Sequence, residues 1–194
     1  MSESERERDA AAACETCGLC CSGLLFARVR VKEEDTAARE RLGLGTAPDG
    51  VPLPHPCRCL NGTLCSIYDD RSGNCRTYQC ETRREILRGE TTLARARARI
   101  ADVKDRLAAL DPLAETLMGR TVRATGFRPF TYAFIAAFEK KQARGLKATG
   151  TERAVIRQSL EILKIVDRHF RETSRIRFFA GFLYDVEAGE RDGN

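Results

Sequence analysis

The rhythm of apolar and polar positions changes midway along the chain. Leu25, Ala27, Val29 and Val31 alternate with Phe26, Arg28, Arg30 and Lys32. A period of two predicts a short strand with one half-wet face. The charged stretch from Glu33 to Leu42 predicts a short helix, interrupted by Gly43 and Gly45. From 46 to 56, Asp49-Gly50 with Pro52, Pro54 and Pro56 predicts an extended loop. Asn61-Gly62 marks a turn, Cys65 to Tyr68 a short strand, and Asp69 to Asn74, with Ser72-Gly73, another turn. Long regular elements are scarce between 43 and 80.

Beyond residue 90 the period becomes helical. Leu93, Ile100, Val103, Leu107 and Leu110 form one stripe, with Pro112 expected to stop it. Phe134, Ile135 and Phe138 mark a second helix ending near Gly145. Thr149-Gly150-Thr151-Glu152 reads as a capping box for a third, burying Ile156, Leu160, Leu163 and Val166 with Ile162 beside them. Phe178, Phe179 and Phe182 suggest a short final helix or strand. The expected fold is α+β and mainly helical, an irregular cysteine-rich, metal-bound N-terminal half packed on a C-terminal helical body. The expected segments are a disordered tail over 1–13, a cysteine-cluster region over 14–90, a helical region over 91–186 in the same cooperative unit, and a frayed tail over 187–194.

Composition narrows the class. With 194 residues, 42% of them apolar, the chain can bury one ordinary core. It has no run of 18 apolar residues, so a membrane-spanning helix is not expected. The formal charge of +5 comes from 33 basic and 28 acidic residues interleaved along the chain, as in Arg39-Glu40-Arg41. Interleaving argues for solvated helix faces and against a nucleic-acid groove, which concentrates positive charge. The densest basic patch, Arg83, Arg84 and Arg88, reads as such a face. Met1 to Asp9 lack the apolar stretch of a secretory signal. The expected location is the cytoplasm.

Cysteine use is the anomaly. There are nine, all between 14 and 80. An odd count without an export signal argues against a disulfide scaffold, and in a reducing compartment closely spaced thiols serve better as metal ligands. The first group is Cys14, Cys17, Cys20 and Cys21, with Gly18 easing a tight wrap. The second is Cys57, Cys59, Cys65, Cys75 and Cys80. Such thiolates suit zinc, copper(I) or iron–sulfur clusters and argue against calcium and magnesium. Vicinal Cys20 and Cys21 project differently and could serve two metals. His55 reads as a loop residue beside the cluster, or as an imidazole ligand. His169 reads as an ordinary helix residue. Tyr68, Tyr78 and Arg76 read as packing and charge compensation, or as groups that tune the cluster. Asp69 and Asp70 read as turn formers.

These motifs resemble the YkgJ-type CxxCxxCC cysteine-cluster family of zinc- or iron-chelating domains. The naming motif is Cys14 through Cys21. The second half is similar to C-x-x-L…C-x-I-Y-x-x-R-P…C-R…C, here Cys57-Arg58-Cys59-Leu60, Cys65-Ser66-Ile67-Tyr68-Asp69-Asp70-Arg71-Ser72 and Cys75-Arg76 with Cys80. Ser72 stands where the pattern has proline. The resemblance covers roughly residues 14 to 90. It implies that the ligands of a zinc ion or an iron centre, including an iron–sulfur cluster, are Cys14, Cys17, Cys20, Cys21, Cys57, Cys65, Cys75 and Cys80, with Cys59 the odd one out.

Three functions follow as expectations. The first is a metal-binding protein, with a protein partner as a further expectation. The second is a metal-dependent protein-modifying enzyme or redox protein, motivated by thiols in excess of one structural site. The third is an RNA- or protein-interaction module with structural zinc. No glycine-rich loop follows a clear strand, so a Rossmann nucleotide site is not expected.

Overall fold

A computed structural model describes residues 2–170. Phe178, Phe179, Phe182 and the expected tail 187–194 lie outside the described residues. The architecture is mostly helical, with a small β region near the N-terminus resting on a C-terminal helical bundle.

The chain opens on helix α1 (Glu3–Glu15), where a disordered tail was expected. Ser2 Oγ accepts from the Glu5 N–H at 3.3 Å, and the Glu5 carboxylate accepts from the Ser2 N–H at 2.6 Å. This capping box meets two donors that the first turn would leave unpaired. Ala10 and Ala13 bury against Ile86 and Ala96. Alanine has the highest helix propensity and permits close helix approach. Charged residues around these alanines conceal that face in the sequence.

Strand β1 (Arg28–Val31) pairs antiparallel with β2 (Val51–Pro54), in the register Val31↔Val51 and Arg28↔Pro54. The expected loop therefore contains a strand. Both strands of a two-stranded sheet are edges, so Pro52 and Pro54 can occupy β2 without an N–H to offer. Helix α2 (Thr36–Leu42) lays Ala38 and Leu42 over Val31 and Leu53. Strands β3 (Leu60–Asn61) and β4 (Leu64–Cys65) form a hairpin about the expected turn; β4 ends at Cys65 and does not reach Tyr68. The turn expected at 69–74 gives way to helix α3 (Gly73–Thr77). Buried Asp35 accepts from the Gly73 N–H at 2.7 Å and from the Lys32 N–H at 2.9 Å, fixing the start of that helix.

Helix α4 (Glu81–Arg88) leads to the long helix α5 (Leu93–Met118). Pro112 does not end α5. Leu110 and Ala114, on either side of it, are both fully buried, and that packing outweighs one missing hydrogen bond. Gly119, left-handed at φ 67°, ends the helix instead. After the single turn α6 (Val122–Thr125), α7 (Phe127–Gln142) presents Phe127, Phe130, Phe134 and Phe138 on one face. Helix α8 (Gly150–His169) starts with the expected Thr149–Glu152 capping box. Its deepest residues are Val155, Ile156, Leu160, Ile162 and Val166; Leu163 is only half-buried. Helices α5, α7 and α8 enclose the main core, and Leu19, Leu24 and Leu25 from the cysteine loop enter it. No described helix is long and apolar enough to cross a membrane.

Candidate metal centre

All nine cysteines are free thiols, and all nine line a single cavity. Cys14 lies in the last turn of α1. Cys17, Cys20 and Cys21 follow on a tight loop where the Cys17 N–H donates to the Cys14 carbonyl at 3.3 Å. Cys57 joins this loop directly, its N–H donating to the Cys21 carbonyl at 2.7 Å. Cys65 sits on β4, Cys75 on α3, and Cys80 is the residue capping α4. Packing of α4 against α1 returns Cys80 to the first group.

Gly18 permits this wrap. It is left-handed at φ 69°, and a Cβ there would meet the Thr63 carbonyl oxygen at 3.1 Å. The β3–β4 hairpin is thereby held against the loop. Gly18→Ala combines an unfavourable backbone conformation with that contact and is expected to destabilise the fold by about 1–3 kcal/mol. Urea unfolding would read the loss; an unchanged midpoint would show that the loop relaxes freely.

The thiols fall into two neighbourhoods. Burial pushes the Cys17 thiol up to about 12; Cys80 and Cys14 add to the rise, and Lys104 opposes it. Cys20 is raised well above its ordinary value, first by burial and then by Cys17, Cys80, Cys21 and Cys14. Cys80 is raised by burial and by Cys14. On the other side, burial lifts Cys21 to about 12, helped by Cys57, Cys65 and Cys75 and, least, by Cys14 across the divide. Cys57 rises to about 11 by burial, then through Cys59, Cys65 and Cys75. Cys65 rises by burial, with Cys59 and Cys75 adding. Packing divides the thiols along the same line. Cys17, Cys20 and Cys80 rest on the helical core, whereas Cys57 and Cys65 rest on the small cluster under β1, β2 and α2.

Opposing the burial, backbone amides act on four thiols in the direction that favours the thiolate. Leu19 does so at Cys17, Cys59 at Cys57, Ile67 at Cys65 and Arg83 at Cys80. Amide donors suit an anion, while burial without a counter-charge disfavours one. A bound cation would reconcile the two, and an all-sulfur donor set fits a soft metal. Among the described residues, no three His, Cys, Asp or Glu side chains converge closely enough to hold an ion as they stand.

The remaining sequence candidates separate cleanly. Cys59 is buried with Val31, Ala38, Leu42 and Leu53, where it packs as a small hydrophobe. His55 lines the cavity, its Nδ1 buried without a hydrogen-bond partner, and burial lowers its pKa. His169 lies at the end of α8, away from the cavity lining. Tyr78 donates to the Phe170 carbonyl at 3.0 Å and stands edge-on to Phe26 at 4.8 Å. Arg76 is exposed, Asp69 is exposed, and Asp70 accepts from Arg41 at 3.0 Å. The basic patch divides. Arg88 pairs with Glu81 at 2.6 Å and Glu90 at 2.7 Å, and Arg84 lies 3.8 Å from Glu81, but Arg83 lines the cavity. Its inward direction was missed in the sequence. The available signal is position, since it follows the capping Cys80 by three residues, the reach of one helical turn.

Free, mostly half-buried thiols gathered from both ends of a cysteine-rich segment, on a helical body, define a cysteine-cluster protein. In particular, residues 13–96 match the family CxxCxxCC, described as a "Putative zinc- or iron-chelating domain". The matched segment contains all nine cysteines and ends in the first turns of α5. No curated protein and no solved structure matches the chain.

Proposed function

We propose that this protein binds a thiophilic metal, zinc or iron, in two adjoining four-thiolate sets. One set is Cys14, Cys17, Cys20 and Cys80, and the other is Cys21, Cys57, Cys65 and Cys75. The observation that carries the reading is a single cavity lined by free, half-buried thiols, four of which face amide donors suited to a thiolate. Vicinal Cys20 and Cys21 fall to different sets, so the two centres share a backbone segment. Each centre, when bound, supplies either a structural zinc or an iron–sulfur group able to carry an electron. The residues would then hold it and exclude water, and the cation would keep the thiols deprotonated against the effect of burial. The cytoplasm, whose reducing conditions preserve free thiols, belongs to the same reading.

A protein-modifying or redox enzyme would need an open coordination position or a solvent-facing edge. Eight thiolates for two centres favour closed coordination over that alternative. The RNA-binding alternative is weakened by the acidic partners of Arg84 and Arg88.

Anaerobic purification with metal analysis and an absorption spectrum on the same sample tests the reading. Two zinc per chain in a colourless protein, or stoichiometric iron with visible sulfur-to-iron absorption, is expected. Cys14→Ser is expected to lower metal content, and Cys59→Ser to leave it intact. Metal-free protein from metal-replete cells, or equal loss in both variants, would sink it.

A further inference from the structure

A four-thiolate centre around a divalent cation carries two negative charges, and burying uncompensated charge is costly. The counter-charge must come from residues lining the cavity. Arg71 and Arg83 both line it, and the Nε of each is buried with no hydrogen-bond partner among the described residues. Buried guanidinium nitrogens without acceptors are rare enough to require a reason. Arginine stays charged at any physiological pH, so these groups cannot escape by losing a proton.

The two arginines occupy equivalent places, one beside each set. Arg71 lies in the turn between Cys65 and Cys75, with its guanidinium 3.6 Å above the Tyr68 ring. The neighbouring Ser72 hydroxyl donates to Cys75 Sγ at 3.4 Å. Arg83 lies in the first turn of α4, three residues beyond Cys80. Other nearby arginines are engaged elsewhere. Arg58 donates to the Leu42 carbonyl, Arg99 to Glu85, Arg41 to Asp70 and Arg88 to Glu81.

We infer that Arg71 and Arg83 are the separate counter-charges of the two thiolate sets, each positioning and retaining the metal of its own set. The inference rests on the metal reading proposed above. Arg71 serves Cys21, Cys57, Cys65 and Cys75, and Arg83 serves Cys14, Cys17, Cys20 and Cys80. In the same sense, Arg71 opposes the rise at Cys65 and Arg83 the rise at Cys80. Both are positioning residues that act through sulfur.

The test uses the full chain loaded anaerobically with zinc and titrated with a chromogenic chelator. Arg71→Gln and Arg83→Gln are each expected to weaken one zinc by about 10–100-fold and leave the other at its wild-type affinity. Alkylation after the weak zinc is removed, followed by peptide mass mapping, should label the Cys21, Cys57, Cys65 and Cys75 group in Arg71→Gln. The same treatment should label the Cys14, Cys17, Cys20 and Cys80 group in Arg83→Gln. Arg71→Lys and Arg83→Lys keep the charge and guard against misfolding; a smaller loss with the same set-specific labelling is expected. Wild-type affinity for both zinc ions in both Gln variants overturns the inference, as does labelling across both sets in any variant. A wild-type chain that binds no metal fails the earlier reading and takes this one with it. Two zinc ions indifferent to either arginine fail this inference alone.

Discussion

Stripping metal from the reduced protein with a strong chelator is expected to open residues 28–77 to solvent while α5, α7 and α8 stay folded. The two regions differ sharply in what holds them. The main core contains eighteen buried residues, nine of them phenylalanines or branched aliphatic groups on α7 and α8 such as Phe138 and Ile162. The cluster under β1, β2 and α2 contains five, of which two are Ala38 and Cys59. Full burial of a valine or leucine contributes only about 1.5–3 kcal/mol. Five burials and two two-stranded pairings are far less than the helical core has, so a metal held by the thiols is expected to supply much of what orders this segment.

Hydrogen exchange read by mass spectrometry would check this. Amides at Leu53, Cys57 and Ser66 should lose protection on chelation, while those of α5 and α8 keep it. With metal bound, Leu19, Leu24 and Leu25 tie the cysteine loop to the helical core, and a single thermal transition is expected. Without it, the transition should split. Protection unchanged by chelation would show that side-chain packing alone holds the segment.

What was legible in the sequence had local causes. Asn61-Gly62 specifies its hairpin whatever surrounds it, Thr149 and Glu152 cap α8 by reaching one turn, and the phenylalanines of α7 declare their face by spacing alone. What was missed had tertiary causes. Pro112 ends a helix in isolation but sits between two buried residues of a long one. The alanines of α1 acquire meaning only when α4 supplies Ile86 to cover them. Strand β2 is legible as extended chain, yet its pairing needs β1.

The candidate site follows the same division. Residue type and spacing single out the cysteines, and vicinal Cys20 and Cys21 already suggest two metals, but chain order does not say which later thiols neighbour each. Cys20 rests on the helical core beside Cys80, whereas Cys21 neighbours Cys57, Cys65 and Cys75 as well as Cys14. That separation depends on the hydrogen bond from Cys57 to the Cys21 carbonyl and on the return of Cys80 beside α1. Neither contact leaves a mark on local sequence. Arg83 was read as solvated for the same reason, because its neighbours Arg84 and Arg88 do face the surface acids.

Acid and alkali are expected to act in opposite senses on the loaded and the metal-free protein. In the metal-free form, burial against the helical core that stays folded lifts Cys17 from an ordinary 9.0 to about 12. The unfolded chain therefore ionises first. Stability contributed by the protonated thiol is complete below about pH 9 and is lost as pH rises toward 12. In the loaded form the thiols must already be deprotonated, so protons compete with metal, and stability falls as pH drops. His55, lowered by burial, adds acid sensitivity to the loaded form. Urea midpoints at about pH 6, 8 and 10, with and without chelator, give the comparison. The loaded protein should gain stability from 6 to 8, and the metal-free protein should lose it from 8 to 10 and beyond. A loaded protein that gains nothing beyond the His55 contribution between 6 and 8 would remove the thiolates from the ligand set.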